Sequence, residues 1–133
     1  MMIVGKRRTS VARANIKEGT GKVYLNNEPV ENYHPQQLRD YLLEPFILAK
    51  LKGFNINKID VFVNVRGGGK ISQISAARTA IGKALVEHFK SDELKKLFSE
   101  YDKHIIVSDV RQREPRKPWG HGKARGKKQK SYR

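Results

Sequence analysis

The stretch Ile59-Asp60-Val61-Phe62-Val63-Asn64-Val65-Arg66-Gly67-Gly68-Gly69-Lys70-Ile71-Ser72-Gln73 decides the fold class, because its hydrophobic period changes from two to about 3.6 across three glycines. Ile59, Val61, Val63 and Val65 share one strand face, Phe62 points to the other, and the density of β-branched residues predicts a buried central strand. A helix is expected from near Ser72, with Ile74, Ala77, Ile81, Leu85 and His88 as its inward stripe and Lys83 and Glu87 opposite. A glycine-rich link from a strand to a helix start can present backbone N–H groups to an anion. The same glycines also let strand and helix pack closely, and Arg66 and Lys70 flank the turn on either reading.

Working outward, Ile3 to Lys17 alternates imperfectly, with Ala12, Ala14 and Ile16 on one side and Arg7, Arg13, Asn15 and Lys17 on the other, which predicts a strand with a basic exposed face. Glu18-Gly19-Thr20-Gly21 reads as a hairpin turn into a second strand, Val23-Tyr24-Leu25, and Asn26-Asn27 turns the chain again. Pro35 opens a helical stretch to Lys52 that Pro45 is expected to divide in two, since its ring removes a backbone donor. A last helix is expected over Asp92 to Tyr101, capped by Ser91, before Ile105-Ile106-Val107 closes the folded part.

Strands and helices in this order fit one α+β domain, and 133 residues leave little room for a second core. Domain boundaries are expected at 1–110 and 111–133. The first segment carries 18 basic and 12 acidic side chains, the second 10 basic and 1 acidic, so most of the net charge of +15 falls in the last sixth of the chain. That imbalance points to a polyanionic partner. Beyond Asp109 no apolar periodicity remains, and Pro115, Pro118, Gly120, Gly122 and Gly126 argue against regular structure, so the segment is expected to be disordered until it meets RNA.

Arg111, Arg113, Arg116, Lys117, Lys123, Arg125, Lys127, Lys128, Lys130 and Arg133 can each neutralise a phosphate, while Trp119 and Tyr132 interleave with them as rings suited to base stacking. Fully extended, residues 118–133 span roughly 50 Å. On the domain, Arg7, Arg13, Lys17, Arg66 and Lys70 are the expected RNA-binding cations.

Several other chemistries are disfavoured. The absence of cysteine removes disulfides, thiolate metal sites and a cysteine nucleophile. His34, His88, His104 and His121 lack ligand spacing, so no metal or other cofactor is expected. Neither Gly69-Lys70 nor Gly126-Lys127 is followed by Ser or Thr, so the Walker pattern fails. Ser10 and Ser75 have no nucleophile context, and residues 61–78 contain no carboxylate to hold magnesium for a phosphotransferase. The apolar runs are too short for a membrane span. Neither a small-molecule substrate nor a membrane is expected as a partner.

Gly67-Gly68-Gly69-Lys70-Ile71-Ser72-Gln73, continuing through Ala76, Ala80, Gly82, Lys83, Ala84 and Leu85, resembles the defining pattern of the family of ribosomal protein nine of the small subunit. The resemblance extends to Gly5-Lys6-Arg7-Arg8-Thr9-Ser10-Val11-Ala12-Arg13-Ala14, to Gly19-Thr20-Gly21 with Asn26-Asn27, and to Asp109-Val110-Arg111 followed by Glu114, Lys117 and Gly120. It implies a four-stranded sheet with helices on one face and a left-handed β-α-β crossover, as in the second domain of ribosomal protein five of the small subunit, plus an extended basic tail. It also implies a non-enzymatic, cytoplasmic, ribosome-bound protein that docks on the subunit head against small-subunit rRNA and neighbouring ribosomal proteins. The tail would thread through rRNA until Lys130, Ser131, Tyr132 and Arg133 meet the anticodon stem-loop of peptidyl-site tRNA. Bacterial members end in Ser-Lys-Arg, whereas Gln129-Lys130-Ser131-Tyr132-Arg133 is the archaeal and eukaryotic kind of ending, so a ring stands where a cation would. Ser72 is expected to cap the helix, and the motif leaves the role of Gln73 open. A rival reading, the protein subunit of a tRNA-processing ribonucleoprotein enzyme, shares the unusual crossover but calls for a basic cluster within the fold rather than in a tail.

Overall fold

Strand β5 (Ile59–Arg66) is the centre of the protein, as its alternation predicts: Ile59, Val61, Val63 and Val65 are buried, and the strand pairs on both edges. The computed structural model describes residues 1–118, 124 and 132–133. Around β5 lie β1 (Met2–Arg7), β2 (Ser10–Glu18), β3 (Val23–Leu25) and β4 (Glu28–Pro29) in the order β1-β2-β5-β3-β4. The sheet therefore has five strands rather than four, and it is mixed: β2 runs antiparallel to β5, and β3 runs parallel to it.

Two local readings of the N-terminal region are corrected. Ile3–Lys17 is not one strand but a tight hairpin, in which Arg7 pairs with Ser10 across Arg8-Thr9 and Arg8 takes a left-handed φ of 52°. Residues 19–22 do not form a hairpin either. They carry the chain past the start of β5, which inserts between β2 and β3. The Asp60 carboxylate accepts hydrogen bonds from the backbone N–H groups of Thr20 (2.8 Å) and Lys22 (2.9 Å), pinning the link there. These donors, Lys22 first, hold the Asp60 carboxyl below the usual carboxylate range against the opposing effect of burial. Asn26 and Asn27 do make the expected turn between β3 and β4, both with positive φ.

Helix α1 (Gln36–Leu51) is one helix, not two. Pro45 sits inside it, buried with Leu42 and Ala49, and the burial of that face offsets one missing backbone hydrogen bond. Helix α2 (Lys70–Phe89) begins at Lys70 with Gly69 as its cap residue, so Ser72 does not cap it. Ile74, Ala77, Ile81 and Leu85 are buried as expected, but His88 is exposed near the helix end. Helix α3 (Asp92–Tyr101) is capped by Ser91, whose hydroxyl accepts from the Leu94 N–H at 3.4 Å.

The helices cover one face of the sheet, because α2 lies on β1, β2 and β5 while α1 and α3 pack on α2. Small residues set that approach: a Cβ on Gly5 would come within 2.6 Å of the Ala80 backbone nitrogen. Where the three helices meet, Arg78 is only 2 % exposed; its guanidinium bonds Glu44 at 2.5 Å and Asp102 at 2.7 Å and lies over the Tyr41 ring. Burial alone would lower the Arg78 pKa, but Asp102, Tyr41 and Glu44 outweigh it and raise the value.

Candidate nucleic-acid interface

With the helices on one side, the other side of the sheet is left open among the described residues. It presents Met2, Val4 and Lys6 from β1, Val11, Arg13, Asn15 and Lys17 from β2, Asp60, Phe62, Asn64 and Arg66 from β5, and Tyr24 from β3. Arg13, Lys17 and Arg66 thus share one surface, as the alternation of β2 and β5 predicts. Arg7 does not join them. The hairpin places Arg7 beside Ser10, and since Ser10 belongs to the buried phase of β2, Arg7 lies on the helix side and pairs with Asp109.

A second basic area surrounds the glycine turn. Gly67 and Gly68 have φ of 82° and 66°, a conformation that side chains resist, and a Cβ on Gly67 would sit 2.6 Å from the Thr9 carbonyl oxygen. The turn is fastened from two sides: the Ser10 hydroxyl donates to the Gly67 carbonyl at 2.8 Å, and Gln73 Nε2 donates to the same oxygen at 3.2 Å. Gln73 therefore braces the loop, and Ser10 is a buried structural hydroxyl. Beside the turn, Arg8, Thr9, Gly68, Gly69, Ser72, Arg111, Gln112 and Arg113 line a cleft of about 630 Å³, with Lys70 exposed at the helix start next to it. The Gly68 and Gly69 backbone and the positive end of α2 meet three arginines there, a setting that favours anionic oxygen.

The chain after Asp109 leaves from this cleft. Arg111, Arg113, Arg116 and Lys117 are exposed, and Arg111 bonds Asp109 at 2.7 Å. Tyr132 and Arg133 are also exposed. The remaining tail expectations, on Trp119, Lys123, Arg125, Lys127, Lys128, Lys130 and Ser131, lie outside the described residues. The sequence did not single out Arg8 or Gln112, because turn position and proximity through the fold leave no local pattern. Among the described residues no cluster of three His, Asp or Glu is placed to hold a metal, and no helix is long and apolar enough to cross a membrane.

Residues 5–133 match the family described as ribosomal protein S9/S16. The chain belongs to that family. A protein called small ribosomal subunit protein uS9 from Methanococcus maripaludis is 50 % identical over 131 residues, covering 98 % of this chain and 96 % of its own length. Proteins of the same name from Desulfurococcus amylolyticus (50 % over 129 residues, 97 % and 89 % covered) and Thermoplasma acidophilum (47 % over 133 residues, both chains covered in full) are similar along the same span. As a member of the S9/S16 family, the chain is a ribosome-bound structural component of the small subunit that takes part in translation, and it is not an enzyme.

Proposed function

We propose that the folded domain, residues 1–110, anchors on small-subunit rRNA through the open sheet face (Arg13, Lys17, Arg66) and through Arg8 and Lys70 at the glycine turn, where Arg111 and Arg113 from the root of the arm complete the cleft, beside neighbouring ribosomal proteins. Residues 111–133 serve as an arm that follows rRNA through Arg116, Lys117, Trp119, Lys123, Arg125, Lys127 and Lys128. Its tip, Lys130, Ser131, Tyr132 and Arg133, contacts the anticodon stem-loop of tRNA in the peptidyl site. The β3-α1-β5 connection is left-handed in this reading, as the family resemblance implies.

The observation that carries the proposal is the continuity of positive charge from the cleft into the chain that leaves it: Arg8, Arg111 and Arg113 line one depression, and exposed Arg116 and Lys117 follow directly. Cations arranged along a strand of RNA neutralise successive phosphates and release counterions. Arg7 keeps an indirect part, through the carboxylate at the root of the arm. Arg133→Ala in assembled subunits tests the tip: the tRNA off-rate at the peptidyl site rises several-fold while assembly proceeds. An unchanged off-rate in fully assembled subunits refutes the tRNA contact.

A further inference from the structure

The open sheet face holds more than cations. At its centre the Phe62 ring stacks on the Tyr24 ring, with centroids 4.9 Å apart and planes within 4°. Since β2 and β3 flank β5, Phe62 has Tyr24 on one side and the Lys17 ammonium on the other, 5.3 Å from its centroid. Asn15 stands directly opposite Phe62 in the β2–β5 register, and Asn64 stands opposite Arg13. Phe62, Lys17, Asn15, Asn64 and Arg13, with Arg66 and the Asn26-Asn27 turn, line a depression of about 1080 Å³.

We propose that this face is a stacking site for unpaired nucleotides of rRNA, with a base against Phe62, the Asn15 and Asn64 amides on its edge, and Arg13, Lys17 and Arg66 on the adjoining phosphates. Charge complementarity selects the occupant. The open positions of β1, β2, β3 and β5 carry Lys6, Arg13, Lys17 and Arg66 against one carboxylate, Asp60, which is already engaged by the Thr20 and Lys22 N–H groups.

A cation over a half-exposed ring is an exchangeable partner. A flat base offers a larger stacked area, and its arrival frees the Lys17 ammonium for a phosphate. Amides can donate and accept at once, which suits base edges. The depression is at or above the ~300–1000 Å³ of single-ligand pockets, in keeping with an extended strand. A paired A-form helix shows its base edges only in a shallow groove, so stacking on Phe62 requires an unpaired base.

The inference rests on the rRNA-binding reading above, and two experiments separate their failures. In the first, small subunits are assembled with a photo-crosslinking phenylalanine analogue at position 62. An adduct to an unpaired rRNA nucleotide is expected, and an adduct to protein, or none, overturns the proposal.

In the second, the full chain is titrated with a single-stranded RNA decamer and with a duplex of equal length. Phe62→Leu keeps an apolar strand residue, so it is expected to lower single-strand affinity about tenfold while leaving duplex affinity unchanged, with loss of the Tyr24 stack lowering Tm by only a few degrees so that the variant stays folded. Equal single-strand affinity of wild type and variant overturns the stacking site and leaves the electrostatic anchoring standing. Failure of the wild-type chain to bind either RNA overturns both.

Discussion

Arg7, on the first strand, and Asp109, at the root of the basic arm, form an ion pair that joins the two ends of the folded sequence. The Asp109 side chain is only 7 % exposed, and it also takes the Arg111 guanidinium, so one carboxylate fixes both the strand and the first cation of the arm. The direction in which residues 111–118 leave the domain is set there.

Asp109→Ala removes the shared acceptor and leaves Arg7, itself partly buried, without its partner. A loss of about 1.5–3 kcal/mol in urea unfolding is expected, in line with hydrogen bonds to charged groups. Limited proteolysis in the 110–118 stretch is expected to become faster. A variant with unchanged stability and cleavage would mean that the arm is oriented by something else.

Gly5 lies where β1 meets α2, and a side chain there runs into the helix backbone rather than into a movable side chain. Gly5→Ala is therefore expected to cost about 1–3 kcal/mol, the range for overpacking. Thermal melts compared with an exposed control, Val4→Ala, check it. A change below about 0.5 kcal/mol would place it with ordinary surface substitutions, showing that the strand and helix can separate without cost.

The lowered pKa of Asp60 has a definite sign in stability. Because the folded-state value lies below the unfolded one, the contribution is fully present above the unfolded pKa, near 4, and is lost as pH falls through the folded value. Wild type is then more stable than Asp60→Asn at neutral pH, and the gap narrows below about pH 4. Unfolding curves of both proteins between pH 2.5 and 7 test this, and a gap that stayed constant across the range would contradict it.

Removing residues 118–133 is expected to leave a cooperatively folding domain. The described core extends no further along the chain than Ile105, with Ile106 packed against it. A broad, non-cooperative melt of the shortened chain would show that the arm supplies part of the core.

How much of this was legible beforehand depends on how local the cause is. The β5–turn–α2 unit obeys one period and then another, so the buried face of β5 and Ile74, Ala77, Ile81 and Leu85 of α2 followed directly, while the helix start at Lys70 and the exposure of His88 near its end did not. The Arg8-Thr9 turn has no glycine to announce it, so the hairpin passed for a continuous strand and the phase of Arg7 came out reversed. The insertion of β5 between β2 and β3 depends on pairing between residues far apart in the chain, from Leu25 with Val63 to Val11 with Arg66, which no window of sequence contains. Pro45 reads as a helix breaker in sequence because the packing of α1 on α2, which buries one face of the helix, leaves no local signal.

The cations of the interface were countable from composition, whereas their division between an open sheet and a cleft needed the fold. Gln73 was conspicuous in the motif, but only the position of the Gly67 carbonyl gives it a task.

The place of β5 also sets a timetable. β2 and β3 are separated by four residues in the chain, yet β2 with its β1 hairpin and β3 with β4 stay two unjoined pairs until β5 has been synthesised, so the sheet stays open through the first half of translation of its own message. Such long-range closure is slow compared with local hairpins. The basic arm is made last of all. Its charge therefore emerges behind a domain whose strands are already present, and the sticky end of the protein arrives when the rest can hold it in place.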